Sequence, residues 1–292
     1  MDRQRHLAPR FVETHASHTA VLPGYDGTPL FVRRWPPERE VPRATVLLVH
    51  GYAEHSGRYE ALAARLTARG FALAAYDQRG FGRSGGPPAL VRSFDEYVAD
   101  LHAVVRHVRS SEHRAHPLFL MGHSMGGAVV LLYVLDHGAR PAGLILSSPL
   151  VHLPTPRLLR PVARLAGRLA PALPTVYLER DAISRDPSVV AEVLNDPLCY
   201  TGRIKARTGA ELLRATRRLR DEGHRLGRPF LLVHGTADRI TAPSGSQALY
   251  ARARSDDKTL ALYNGFYHET FNDPGGERVL IGMADWLDER SE

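Results

Sequence analysis

Residues 118–134 read LFLMGHSMGGAVVLLYV, an apolar run on either side of a cluster holding three glycines and one hydroxyl. The first run, Leu118 to Met121, has the length and composition of a buried strand, and the second, from Gly126 to Asp136, those of a buried helix. Between them Gly122-His123-Ser124-Met125-Gly126 satisfies G-x-S-x-G at a strand-to-helix junction, the context in which this short pattern carries information. A side chain held at the tip of such a turn needs neighbours that let the strand and helix backbones approach closely, and glycine permits that. The helix start also brings free amides and the positive end of a dipole close to Ser124, which favours developing negative charge. Taken alone, the stretch fits a glycine-rich packing turn with an incidental serine equally well. The rest of the chain decides.

Outward from this junction, short apolar or β-branched runs alternate with longer amphipathic ones, the signature of parallel strands joined by helices. Strands are expected at Leu30–Trp35, Thr45–His50, Phe71–Tyr76, Leu118–Met121, Leu144–Ser147, Phe230–His234 and Thr259–Tyr263. Helical spacing covers Tyr59–Ala68, Phe94–Val108, Gly126–Asp136, Ser246–Ala253 and Glu277–Leu287. The fold class is therefore α/β, with one mainly parallel sheet flanked by helices. Ligands of such sheets collect outside the carboxyl ends of the strands. Three strands run into a glycine or small polar residue there, in LLVHGYAEH, LMGHSMGG and LLVHGTADR.

The alternation stops between about Val151 and Arg225, where prolines are frequent and no strand-helix rhythm persists. A loop of that length is improbable in a compact domain, so a helical insertion is expected: residues 1–150 and 226–292 form the core, and 151–225 a cap or lid. Within PRLLRPVARLAGRLA, Leu158, Val162, Leu165 and Leu169 share one face, and Arg157, Arg160, Arg164 and Arg168 the other. That helix either packs its apolar stripe onto the main domain or belongs to a lid that touches lipid.

A serine needs a base, and the base an orienting acid. After the strand PFLLVHG, the loop TADRIT carries Asp238; after LALYNG, the loop FYHE carries His268. The order Ser, Asp, His, each just past a successive strand of one sheet, is that of an α/β-hydrolase triad. Asp256, Asp257 and Asp273 sit before a strand or after the histidine and are weaker candidates for the acid. His224 and His234 fall before or inside a strand, where a base reaches the serine poorly. The oxyanion of a tetrahedral intermediate requires two donors, expected from the backbone amides of Met125 and of Tyr52, in the loop HGYAEHSGRY after the Thr45–His50 strand.

HGYAEHSGRY, YDQRGFGRSGG, GHSMGG, SSPLV, NDPLCYTG, LLVHGTADRIT and YNGFYHE together resemble, in sequence and in order, the monoacylglycerol lipases and related lysophospholipase-like serine hydrolases. The resemblance spans about Thr45 to His268. It implies a capped α/β-hydrolase that releases one fatty acyl chain from glycerol without a cofactor, with Ser124, Asp238 and His268 as the triad and the Tyr52 and Met125 amides as oxyanion donors. It also implies that Glu54 and Arg58 lie near the polar head of the substrate. Four residues apart with the acid first, these two equally fit an ordinary ion pair at a helix start. Tyr52 departs from the small residue usual in the lipases and would narrow the pocket. A lysophospholipase or a short-chain carboxylesterase would use the same triad, and a non-catalytic binding protein would not need all three positions.

Composition excludes other classes. With 292 residues, 43% hydrophobic and 24% charged, the chain can bury a large core and is not disordered. Its formal charge of +7 rests almost wholly on arginine, Lys205 and Lys258 being the only lysines. The densest run, RATRRLR at 214–220, reads as the solvated face of a helix, so no nucleic-acid partner is expected. Gly80-Phe81-Gly82-Arg83-Ser84-Gly85 satisfies G-x-G-x-x-G, but Gly86, Pro87 and Pro88 follow where a dinucleotide loop must open a helix. The histidines show no metal-ligand spacing, so no metal is expected. The single cysteine, Cys199, rules out an internal disulfide. No signal-like stretch opens the sequence and no run reaches about 18 apolar residues. The expectation is a cytoplasmic protein, peripheral at membranes through transient lid contact, with a lipid ester as substrate.

Overall fold

A computed structural model describes residues 18–39, 41–111, 116–153, 155–156 and 158–291. The opening stretch read above, with Pro154 and Arg157, lies outside them.

Among the described residues eight strands form one sheet: β1 (His18–Pro23), β2 (Pro29–Trp35), β3 (Thr45–Val49), β4 (Ala72–Tyr76), β5 (Leu118–His123), β6 (Gly143–Ser147), β7 (Phe230–Gly235) and β8 (Lys258–Tyr263). Their spatial order is β1-β2-β4-β3-β5-β6-β7-β8, with β1 and β2 antiparallel to their neighbours and every pair from β4 to β8 parallel. The seven expected strands are present within a residue or two. Strand β1 carries no hydrophobic alternation, because this edge strand is largely exposed on both faces.

The helices are α1 (Glu60–Ala68), α2 (Asp95–Ser111), α3 (Met125–His137), α4 (Leu159–Leu169), α5 (Pro187–Asn195), α6 (Ala206–Glu222), α7 (Pro243–Arg252) and α8 (Glu277–Asp288). They cover both faces of the sheet, which is why β3 to β7 read as unbroken apolar runs. Leu47 and Val49 face a core completed by α2, α3 and α6; Val46 and Leu48 face one completed by α1 and α8. From β3 the chain crosses to β4 on one side and returns to β5 on the other. This reversal opens a crevice at the carboxyl ends of β3 and β5.

Helices α4, α5 and α6 occupy the stretch between β6 and β7. Helix α6 buries Leu212, Ala215 and Leu219 in the same core as α3. Helix α4 overturns the packing expectation for its apolar stripe. Leu158 is 87% exposed and Leu169 77%, with Val162 and Leu165 also exposed. The small residues of α4 make the contact instead: a side chain added at Gly167 would meet Ala210 and the backbone of Ala206 and Arg207 at 3.0–3.2 Å. The close approach of two backbones there turns the stripe outward.

Candidate active site

Strand β5 delivers Ser124 into the crevice at φ +52° and ψ −118°, a conformation an L-residue adopts only under strain of about 1–3 kcal/mol. Backbone hydrogen bonds hold it there. The Ser124 amide donates to Ser147 O at 2.9 Å, and its carbonyl accepts from Gly127 at 3.0 Å and Leu150 at 2.9 Å. The glycines are obligatory on steric grounds. A Cβ at Gly126 would penetrate the carbonyl oxygens of Val49 and His50, and one at Gly122 would meet Gly126 O and Gly127 Cα at 2.6 Å.

Asp238 and His268 converge from the loops after β7 and β8. His268 Nδ1 lies 2.7 Å from Asp238 Oδ2, so Nδ1 carries the proton and Nε2 is left as the basic nitrogen. Asp238 Oδ1 accepts from the amides of Ile240 (2.8 Å) and Thr241 (3.0 Å), and Oδ2 also accepts from Thr241 Oγ1 at 2.9 Å. Burial opposes ionisation of this carboxyl, but the adjacent His268, with hydrogen bonds from His234 and His268, outweighs it and holds the pKa far below the usual range. Burial likewise pulls His268 down, and the charge and hydrogen bond of Asp238 win, giving a pKa above 6.5. His123, its ring tilted 50° against that of His268 with centroids 4.9 Å apart, is lowered to about 4 by burial and by His268, so it stays neutral.

Sequence reasoning set His234 aside as a base, and it is indeed fully buried in β7. It nevertheless reaches the site through the acid. Its Nε2 lies 3.1 Å from both Asp238 Oδ2 and Thr241 O, and its Nδ1 2.8 Å from Ser246 Oγ. Two acceptors on Nε2 place the proton there. The spacing His234 to Asp238 across the end of one strand was the available signal. The competing acids are engaged elsewhere: Asp257 pairs with Arg290, and Asp273 with Arg185.

The loop after β3 is folded around its own polar groups. His50 Nε2 accepts from Gln78 N at 2.8 Å, Gly51 N donates to Glu54 Oε1 at 2.5 Å, and Ala53 takes φ +69°. Among the described residues neither the Tyr52 nor the Met125 amide has a protein partner. Both residues line the cavity that holds Ser124.

Glu54 and Arg58 form the ion pair expected at a helix start, at 2.9 Å, and both line this cavity too. A third member was missed. Glu269 binds Arg58 through two parallel hydrogen bonds of 2.7 and 2.8 Å and accepts from Asn272 at 2.9 Å. Tyr59 donates to Glu54 at 2.9 Å. Burial raises the cost of charge on Glu269, yet Arg58 outweighs it and sets its pKa at about 2. Only a fold that lays the residue after His268 against the first turn after β3 could reveal this partner.

His55, Asp196 and Cys199 bring ligand atoms within 4.8 Å of one another. His55 Nδ1 accepts from Gly57 N at 3.1 Å, so its Nε2 proton donates to Asp196 Oδ2 at 2.7 Å. Burial pushes the Cys199 thiol up to about 12. A protonated thiol and a committed imidazole suit a tie between the β3 loop and the segment after α5, rather than a metal centre. The G-x-G-x-x-G stretch closes on itself, Gly80 N donating to Gly85 O at 2.8 Å, and the next helix begins only at Asp95.

The cavity joining Ser124, His268 and the Tyr52 loop measures about 270 Å³. Leu150, Leu153, Val176, Leu178, Val193 and Leu212 supply its apolar wall, and Arg180 a guanidinium. The arrangement offers a strained hydroxyl, a base oriented by a buried acid and two free amides, the parts that acyl transfer requires.

The family model described as serine aminopeptidase, S33, matches residues 40–275. The monoacylglycerol lipase of Mycolicibacterium smegmatis is 37% identical over 276 residues, covering 94% of this chain and 97% of that protein. The monoglyceride lipase of Homo sapiens is 37% identical over 249 residues, covering 83% and 80%. The crystal structure of Paleococcus ferrophilus monoacylglycerol lipase superimposes with a TM-score of 0.81 at 33% identity, covering 89% of this chain and 99% of that one.

Proposed function

This chain belongs to the serine aminopeptidase S33 family of hydrolases, and on that premise we propose that it cleaves monoacylglycerols to fatty acid and glycerol through an acyl-enzyme on Ser124. The observation that carries the reading is the 2.7 Å contact of Asp238 with His268 Nδ1, on a cavity shared with Ser124. His268 Nε2 takes the Ser124 proton as the hydroxyl attacks the ester carbonyl. Asp238 keeps the imidazole in the correct tautomer and stabilises its charged form. The oxyanion settles between the Tyr52 and Met125 amides, each such donor contributing about 2.7–4 kcal/mol. His268 then protonates the leaving glycerol, and water repeats the cycle on the acyl-enzyme.

The apolar wall takes the acyl chain, at about 0.8 kcal/mol per buried methylene. Residues 151–225 act as the cap that supplies much of that wall. Glu54, Arg58 and Glu269 present a closed polar network to the glyceryl end, so Glu54 shapes the Tyr52 loop as much as it meets substrate. The outward apolar face of α4 touches the lipid surface from which substrate is drawn, making the enzyme peripheral. No described helix is long and apolar enough to cross a membrane.

One observation favours a second reading, a lysophospholipase: the Arg180 guanidinium on this cavity bonds the Tyr200 carbonyl and, among the described residues, no carboxylate. Initial rates on monoacylglycerols, a lysophospholipid and short aryl esters separate the readings. Monoacylglycerol is expected to be preferred, with all activity and fluorophosphonate labelling lost in Ser124→Ala. Preference for short esters, or activity surviving that substitution, overturns the proposal.

A further inference from the structure

A second concavity lies away from the nucleophile. It is a groove of about 870 Å³ between α4, α6 and α7, lined by nine arginines against three carboxylates, Glu211, Asp221 and Glu222. The five arginines from α6 are in ion pairs with acids of α6 itself or of neighbouring elements. The other four, Arg160, Arg164, Arg168 and Arg252, have no carboxylate partner among the described residues. Arg160 and Arg252 each donate to a backbone carbonyl, of Thr155 at 3.4 Å and of Arg220 at 2.6 Å, and Arg160 Nε is buried without a partner among the described residues. Arg160, Arg164 and Arg168 stand four residues apart on α4, one row about 6 Å per step. That row lies on the face of α4 opposite the exposed arc of Leu158, Val162, Leu165 and Leu169, with Arg168 nearest to the arc.

Guanidiniums without a carboxylate partner on the walls of a groove are complementary to phosphate, which each can bind bidentately. Their neighbour decides which phosphate. An interfacial helix that buries one apolar face at the acyl boundary carries its basic residues on the opposite, polar face, where long arginine side chains reach anionic headgroups. The groove has no Phe, Tyr or Trp in its lining to stack nucleobases. We propose that this groove binds the phosphate of anionic phospholipids and thereby directs the enzyme to negatively charged membrane surfaces. The inference rests on the lipid contact assigned above to α4 and adds charge selectivity to it. Each arginine near an anionic leaflet contributes roughly fivefold in partitioning.

The test is co-sedimentation of the full chain with vesicles of phosphatidylcholine alone and of phosphatidylcholine mixed with phosphatidylglycerol, using wild type and the triple variant Arg160→Gln, Arg164→Gln, Arg168→Gln. Wild type is expected to bind the anionic vesicles at least about tenfold more tightly, the difference shrinking with added salt. The triple variant should fall to the neutral-vesicle level while hydrolysing a water-soluble short ester at the wild-type rate, which shows that it is folded. Equal binding to both vesicles leaves the α4 contact standing and overturns the groove; binding to neither overturns both. Stabilisation of wild type alone by inorganic phosphate, or retention of a nucleic-acid duplex by wild type alone, without vesicle selectivity, would assign the groove to another anion and overturn the lipid proposal.

Discussion

His234 and His268 share one carboxylate oxygen: Oδ2 of Asp238 lies 3.1 Å from Nε2 of the first and 2.7 Å from Nδ1 of the second. The proposed acid, Asp238, is itself oriented by a buried histidine in β7, which in turn is fixed by Ser246. His234 is thus a positioning residue that acts through Asp238. Its replacement by Ala removes a hydrogen bond to a charged group, worth about 1.5–3 kcal/mol, so kcat should fall about 10- to 100-fold with KM little changed. With one donor gone, more of the carboxylate charge acts on His268, and the acidic limb of the pH profile should move to higher pH. A purely structural role would leave that limb in place.

The limb itself has a predicted sign. The proposed general-base role needs neutral His268, whose pKa is raised above the ordinary imidazole value because Asp238 outweighs its burial. kcat/KM should therefore climb with pH through an apparent pKa above 6.5. Asp238→Asn removes the opposing charge and leaves burial unopposed, so the limb should shift to lower pH while kcat drops about 10⁴-fold. Measuring kcat/KM against pH for both proteins checks direction and size.

Gly126→Ala should be the most disruptive single methyl in the turn, because its Cβ would penetrate the Val49 and His50 carbonyls at the end of β3. Overpacking of this kind costs about 1–3 kcal/mol, and relief requires β3 and α3 to separate, moving the Tyr52 and Met125 amides apart. Lower denaturation midpoint with a larger proportional loss of kcat is the expected pair of measurements. Gly138→Ala, at the open end of α3, adds a methyl that meets nothing within 4 Å and should leave kcat alone, although its φ of +55° still strains the substitution.

Glu269 links stability to acid. Its folded pKa of about 2 lies below the ordinary 4.5, so the stability it contributes is fully present above about pH 4.5 and is lost as pH falls toward 2. Glu269→Gln breaks a buried pair and should lower stability near neutrality by about 3–5 kcal/mol. It should also flatten the decline of stability between pH 4.5 and 2, read by denaturant titration at several pH values.

Much of the proposed site was legible because each member of the proposed triad carries the same local signal. Ser124, Asp238 and His268 each follow a recognisable apolar strand, and strand ends of a parallel sheet must share one edge. His234 and Glu269 were not legible as partners, since their bonds to Asp238 and Arg58 depend on how loops from different strands stack.

By itself the sequence determined the α/β class, the strand-turn-helix at Ser124 and the set of strand ends that meet there, because hydrophobic period and glycine sterics are properties of neighbouring residues. It also determined which residues of α4 share a face. Only the tertiary structure decided which face is covered. Periodicity is blind to the partner, and the close approach permitted by Gly167 and Ala210 outcompeted the leucines for α6. The same packing brought the arginines of α4 opposite those of α6, turning what reads along the chain as a diffuse compositional bias into one basic groove.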